Sequence, residues 1–244
     1  MIELYSVGLI KNIYKKPNIN SEVTSQIIYG ERFKVIKKNK HWLKIKTKSD
    51  KYTGFIKNNK SVKNMNITHK CYSLKTKIYN KNKSLKKYLP FNSRISINKI
   101  KNGYGQFEKG KWVKLKEVKE NDFIEKNFLN TVNKFIKTKY LWGGKTYSGI
   151  DCSALIQMIY LFNNSFFPRD TKDQIKFNKK KLKKNFYKKG NIIYWKGHVA
   201  ICINNKKLIH AYGPKKKVLV MNINDTIKTI EKTANLKVKK ISKI

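Results

Sequence analysis

Arginine and cysteine are what this 244-residue chain has least of, and acidic residues are few beside basic ones. Only Arg32, Arg94 and Arg169 are arginines among its 57 basic residues, and 14 aspartates and glutamates leave a formal net charge of +43. Such an excess ordinarily points to nucleic acid. Arginine, however, is the side chain suited to bidentate phosphate recognition, and lysine here rises together with asparagine, isoleucine and tyrosine, all residues of A/T-rich codons. The charge is therefore read as lysine spread over solvated faces, with no specific nucleic-acid partner and some non-specific adhesion to polyanions. No run of about eighteen apolar residues occurs, so no membrane span is expected. The opening "MIELYSVGLIKNIYKK" has no basic segment leading into an apolar core. A cytoplasmic location is expected on that ground, an extracytoplasmic one being left open. Cys71, Cys152 and Cys202 make no disulfide framework, and neither Cys-x-x-Cys nor a histidine-rich spacing offers a metal site. No metal and no cofactor are expected.

What is present suffices for packed cores: 40% of residues are hydrophobic and 12% aromatic. The first half of the chain repeats itself weakly. "NIYKKPN" returns as "KIYNKNK", so that Tyr79 answers Tyr14; "GERFKVI" returns as "NSRISIN", Arg94 answering Arg32; "GFIKN" returns as "KWVKL", Trp112 answering Phe55. Short alternating strands broken by Gly, Asn and Lys turns indicate two small antiparallel barrels, residues 1–64 and 65–120, against the alternative of one larger β-domain. After Lys119 the pattern changes. "NDFIEKNFLNTVNKFIKT" sets Phe123, Ile124, Phe128, Leu129, Val132, Phe135 and Ile136 on one helical face, with Asn121 or Asp122 placed to cap it. "CSALIQMIYLF" reads as a second, buried helix and "NNSFFPRDTKDQ" as a loop. Strands "NIIYW", "HVAICI", "LIHAYG" and "KVLVMNI" follow, then a helix "DTIKTIEKT" and a strand "LKVKKI". Residues 121–244 are expected to form an α+β domain with helices first and an antiparallel sheet after them.

Within this domain "YLWGGKTYSGIDCSALIQ" places Cys152 at the junction between a glycine-rich turn and a helix. A helix N-terminus favours a negative sulfur and offers N–H donors to an oxyanion. Gly143, Gly144 and Gly149 would let a substrate lie close to the backbone. Alone, such a cysteine is better read as a small buried residue, which is also the reading for Cys202 in "HVAICI". Cys152 becomes a candidate nucleophile through His198 and His210, which flank a short hairpin. A two-residue connection would put these histidines on opposite faces. A three-residue connection, Asn204 to Lys206, pairs 200 with 210 and makes them diagonal neighbours on one face.

"YLWGGKTYSGIDCSALIQ", "FPRDTKDQ", "GNIIYWKGHVAICI" and "LIHAYG", in this order, resemble the NlpC-type (new lipoprotein C, or sixty-kilodalton-protein) cysteine peptidases over roughly Asp122 to Gly213. The preceding barrels resemble bacterial SH3-like domains. The resemblance implies a papain-like catalytic domain at residues 121–244, preceded by two SH3-like barrels. It implies Cys152 as nucleophile, His198 as general base, His210 as the orienting third residue and Tyr140 near the oxyanion. It further implies a murein-peptide substrate with a free N-terminal L-alanine, cut between γ-D-glutamate and the diamino acid. Asp151 and Asp170 would hold the substrate amine and backbone, with Ser153 and Thr171 as neighbouring hydrogen-bond groups; for Asp170, capping of a local helix is the alternative. From the first barrel, Glu31 and Tyr52 are the candidates to line the cleft. Gly190-Asn191 departs from the family's usual Gly-Asp, and Ala154 stands where a glycine is common. A monomer acting in peptide recycling or turnover is expected. The alternatives are an amidase or acyltransferase of the same fold and a basic module that binds wall polymer.

Overall fold

Alternation of apolar and polar residues along "FKV", "WLKIK" and "GFIK" directs every second side chain to one interior, and the chain folds accordingly. The structure is a computed structural model that describes residues 2–80, 83–179, 181–183 and 187–244. It divides into two compact units, Met1–Ile124 and Glu125–Ile244. In the first unit, strands β1 (Glu3–Ser6), β2 (Ile10–Tyr14), β3 (Val23–Ile28), β4 (Arg32–Lys38), β5 (Trp42–Thr47), β6 (Thr53–Lys57) and β7 (Ser61–Val62) form one sheet in the order β3-β2-β6-β5-β4-β1-β7. Its interior is Ile13, Ile27, Phe33, Leu43, Ile45 and Ile56.

The next eight strands are β8 (His69–Cys71), β9 (Lys75–Asn80), β10 (Lys83–Pro90), β11 (Arg94–Ile95), β12 (Lys99–Lys101), β13 (Tyr104–Glu108), β14 (Lys111–Lys114) and β15 (Val118–Glu120). They pair in the orders β10-β9-β14-β13-β12 and β11-β8-β15. That succession retraces the first sheet, with the counterpart of β4 divided between β11 and β12. The repeated residues occupy matching registers. Tyr14 lies opposite Phe55, and Tyr79 opposite Trp112. Trp42, opposite Lys57, meets Tyr14 edge-to-face at 5.3 Å; Tyr104, opposite Lys114, meets Tyr79 edge-to-face at 5.2 Å. Arg32 and Arg94 each open a strand. Residues 81–82 of the second repeat lie outside the described residues. The core here contains Cys71, Ile78, Leu89, Ile95, Phe107, Val113 and Val118, with Tyr29 of the first strand set.

The second unit holds α1 (Phe128–Val132), β16 (Lys145–Thr146), β17 (Gly149–Ile150), α2 (Cys152–Phe162), α3 (Thr171–Phe177), β18 (Asn191–Trp195), β19 (His198–Cys202), β20 (Lys207–Tyr212), β21 (Lys217–Asn222), α4 (Ile223–Ala234) and β22 (Lys240–Lys243). Its main sheet is antiparallel, ordered β21-β20-β19-β18-β22, and α2 packs on β19 and β20. Ile193, Trp195, Ala200, Cys202, Leu208 and Tyr212 on one face of this sheet pack with Ile223 and Ile230 of α4. Helix α2 is buried at ten of its eleven residues, as its near-continuous apolar sequence requires.

Three elements differ from expectation. The long helix from Asn121 or Asp122 is replaced by the five-residue α1, capped by the Asn127 side chain accepting from Leu129 N–H, with one 3₁₀ turn at Asn133–Phe135. The reason lies upstream: Phe123 packs against Tyr72 of the first unit, and its carbonyl accepts from Lys70 Nζ at 2.6 Å. The loop expected at 163–174 contains the start of α3. The last strand lies at Lys240–Lys243, beyond most of "LKVKKI". Among the described residues no helix is long and apolar enough to cross a membrane.

Candidate active site

The β19–β20 hairpin decides whether two histidines meet. Ile201 lies opposite Ile209 and Cys202 opposite Leu208, and Ile203 N–H donates to Lys207 O at 2.9 Å. The connection is therefore Asn204 to Lys206, held by Asn204 Oδ1 accepting from the N–H groups of Lys206 and Lys207. An odd connection keeps His198 and His210 on one face, and their rings meet with Nε2 of His198 2.9 Å from Nδ1 of His210. Trp195 and Tyr212 flank His198, and the Tyr212 ring stacks on His210 at 4.7 Å. Burial holds both imidazoles neutral, pushing His198 down to about 4 and His210 to about 3.

Cys152 is the first residue of α2, as expected, with Asp151 as the N-cap. Its Sγ lies 3.9 Å from the carbonyl oxygen of Gly197, the residue preceding His198, and the Val199 N–H points at the sulfur. The expectation of a stabilised thiolate is not met. Burial first, and then the negative charge of Asp151, push the Cys152 thiol up to about 12, against the smaller opposing influence of Val199 N–H, Arg169 and Ser153 N–H. At rest the Cys152 thiol and both imidazoles are thus neutral. Tyr140 is half-buried, and burial first, with the negative charge of Asp151 adding to it, keeps the phenol protonated and able to donate.

Asp151 departs from its expected role. Oδ1 accepts from Ala154 N–H at 2.8 Å, from Ser153 Oγ at 3.0 Å and from Arg169 Nη1 at 3.0 Å. Oδ2 accepts from Gly143 N–H at 3.0 Å and from Arg169 Nη2 at 2.5 Å. Both oxygens are engaged inside the protein, and the side chains of the pair are 6% and 2% exposed. An ammonium anchor needs a carboxylate with room beside it, and Arg169 already fills that place. Ser153 belongs to the same network, its hydroxyl accepting from Arg169 Nη1 at 2.9 Å. Arg169 went unassigned in the sequence; its signal was rarity, because a chain that otherwise uses lysine keeps arginine where two parallel donors are needed.

Asp170 is the other carboxylate, and its backbone is the N-cap of α3, but its side chain makes no capping bond. It has no hydrogen-bond partner among the described residues, and partial burial raises its pKa. Thr171 begins α3 and is buried. The glycines also differ from expectation. A Cβ on Gly144 would fall 2.5 Å from Gly149 O, and one on Gly149 would fall 2.4 Å from Leu141 Cβ. The chain's own atoms fill that space, while Gly143, at φ +73°, is required by its left-handed backbone. At Gly190-Asn191 the turn survives the missing aspartate, since Asn191 Oδ1 accepts from Lys188 N–H. Glu31 and Tyr52 belong to the first unit. There Glu31 is buried with Oε2 accepting from Ile28 N–H at 2.8 Å and Oε1 from Ser49, and Tyr52 packs beside that unit's core.

Residues 137–235 match the NlpC/P60 family and residues 7–63 match the bacterial SH3 domain. A dipeptidyl-peptidase 6 of Lysinibacillus sphaericus is 25% identical over 253 residues, spanning 90% of this chain and 91% of that protein. A gamma-D-glutamyl-L-lysine dipeptidyl-peptidase of Bacillus subtilis is 30% identical over 101 residues, 38% of this chain and only 34% of that enzyme. The crystal structure of an NlpC/P60 family protein from Bacillus cereus superposes with a TM-score of 0.79 over 91% of this chain and 94% of that one, at 17% identity, which shows a shared fold. The chain therefore combines an NlpC/P60-family domain, which carries Cys152, His198 and His210, with a bacterial SH3 domain on its N-terminal side.

Proposed function

We propose that this protein is a cysteine peptidase that hydrolyses the γ-D-glutamyl–L-diamino acid bond of murein peptides bearing a free N-terminal L-alanine, in peptide recycling or turnover. The observation that carries the reading is the His198–His210 pair at 2.9 Å on the hairpin whose preceding turn, at Gly197, meets the Cys152 sulfur. In this reading His198 takes the thiol proton as Sγ bonds to the γ-carbonyl carbon, since a neutral thiol is a poor nucleophile until a base accepts its proton. The oxyanion is met by the Tyr140 hydroxyl and by N–H groups at the start of α2, which lack intrahelical acceptors. The carbon–nitrogen bond then breaks, the leaving amine takes its proton from His198, and water releases the acyl group from sulfur. His210 stays neutral and orients His198.

Asp170, with its carboxylate open to a partner, is the residue proposed to receive the substrate ammonium, with Thr171 beside it. Ser153 supports the site through Arg169. We also propose that β8–β15 form a second SH3-like barrel, a reading supported by the repeated strand order and by the matching Tyr–Phe and Tyr–Trp registers.

The test is hydrolysis of L-Ala-γ-D-Glu-diaminopimelate, and of its lysine counterpart, followed by mass spectrometry. Cys152→Ala and His198→Ala are each expected to lose on the order of a thousandfold or more in kcat; turnover by Cys152→Ala at the rate of the parent protein overturns the mechanism. An N-acetylated peptide should be cut far more slowly if Asp170 holds an ammonium. Indifference to acetylation would favour an amidase or acyltransferase on another substrate, an alternative strengthened by Asp151 being engaged by Arg169.

A further inference from the structure

His210 is fully buried, and each of its ring nitrogens has one polar neighbour. Nδ1 faces Nε2 of His198 at 2.9 Å, and Nε2 faces Sδ of Met221 at 3.3 Å. Met221 reaches this position through strand pairing: it lies opposite Leu208 on β21, one diagonal step from His210 on the same face. A thioether sulfur has lone pairs and no proton, so it can only accept. Two proton arrangements are available along the row. In one, His210 Nε2–H points at the sulfur, His210 Nδ1 is bare and accepts from His198 Nε2–H, and His198 Nδ1 is left bare. In the other, His210 Nδ1–H donates to His198, a bare Nε2 of His210 faces the sulfur lone pairs, and His198 Nδ1 carries the proton. The second sets two acceptors against each other in a buried place, where an unsatisfied polar atom is costly.

We infer that Met221 is a positioning residue that fixes the tautomers of both histidines and so leaves His198 Nδ1 bare. This rests on the reading of His198 as the general base, for which a bare Nδ1 is the useful state. The weakness of a thioether acceptor is part of the effect. A carboxylate in its place would draw His210 toward the imidazolium form, whereas sulfur orients the ring without adding charge.

The experiment is nitrogen NMR of the histidine side chains in the resting protein, together with kinetics on the murein tripeptide. In the parent protein both histidines are expected to show pyrrole-type Nε2 and pyridine-type Nδ1. Met221→Leu conserves volume and removes the acceptor. It should give His210 a mixture of tautomers and lower kcat on the order of tenfold with KM unchanged. Met221→Gln, whose amide oxygen accepts the same proton, should restore the single tautomer and most of kcat. A pyrrole-type Nδ1 on His210 in the parent protein overturns the inference, as does Met221→Leu with unaltered tautomers and kcat. Should the parent protein cleave no murein peptide, the functional reading fails, while the tautomers still decide the role of Met221.

Discussion

A cysteine at the start of a helix is usually described as activated by the helix, and here the surroundings act in the opposite direction. Cys152 is 4% exposed and sits beside the Asp151 carboxylate, so the two largest influences on its thiol both oppose ionisation. The unpaired N–H groups that would stabilise a thiolate are shared with Asp151, which takes the Ala154 N–H for itself. Reactivity toward a small alkylating reagent should therefore track thiol ionisation with a midpoint near 12. With His198 neutral down to about 4, the Cys152 alkylation rate should still be climbing about tenfold per pH unit between 8 and 10, where that of a free thiol levels off. Mass spectrometry of the labelled peptide identifies the site, since Cys71 and Cys202 are wholly buried. A rate flat from acid to neutral pH would mean a thiolate–imidazolium pair in the resting protein instead.

At the scale of elements, the hairpin was legible because a period of two leaves only two registers for His198 and His210, and loop parity chooses between them. Helix α2 was legible from its length and unbroken apolar run. The long helix over 121–138 was not, since its apolar stripe mixes Phe123, which packs against Tyr72, with Phe128 and Val132 of the following unit. Helix α3 is a short polar segment whose place depends on Arg169 and Gln174, and neither partner can be read from spacing. Gln174 Nε2 donates to Ser153 O and Pro168 O, so α3 is tied to the first turn of α2 from two sides. Arg169→Met should release one of them. Removing one partner of a buried ion pair costs about 3–5 kcal/mol, the lower figure applying here because Gly143, Ala154 and Ser153 still donate to Asp151. Denaturant unfolding should show this loss, and adding Asp151→Asn should recover part of it by removing the orphaned charge. A double variant no more stable than Arg169→Met would show that the two side chains do not act as a pair.

Over the whole molecule, 14 acidic residues face 57 basic ones, and several of the acids lie inside the fold. Glu31, Asp50, Glu125 and Asp151 are buried, each accepting from nearby backbone or side-chain donors: Ile28 N–H, Tyr52 N–H, Asn127 N–H and the Asp151 network. Surface ion pairs such as Lys15–Glu22 and Lys237–Glu231 are largely exposed and worth little. The folded chain therefore concentrates lysines more closely than the unfolded one without matching counter-charges, and self-repulsion opposes compaction. Repulsion of this kind reaches about 10 Å at 0.1 M salt and about 3 Å at 1 M. Raising sodium chloride from 0.02 M to about 0.5 M should consequently raise Tm by several degrees. Chloride is the informative anion, because sulfate and phosphate strengthen apolar burial in any protein. Succinylating surface lysines at low density should raise Tm at low salt and flatten the salt dependence. A Tm that falls with sodium chloride would mean that the few ion pairs contribute more than the lysine excess removes, and the scattered-lysine reading of the charge would then give way to one in which the basic surface is organised around specific acidic partners.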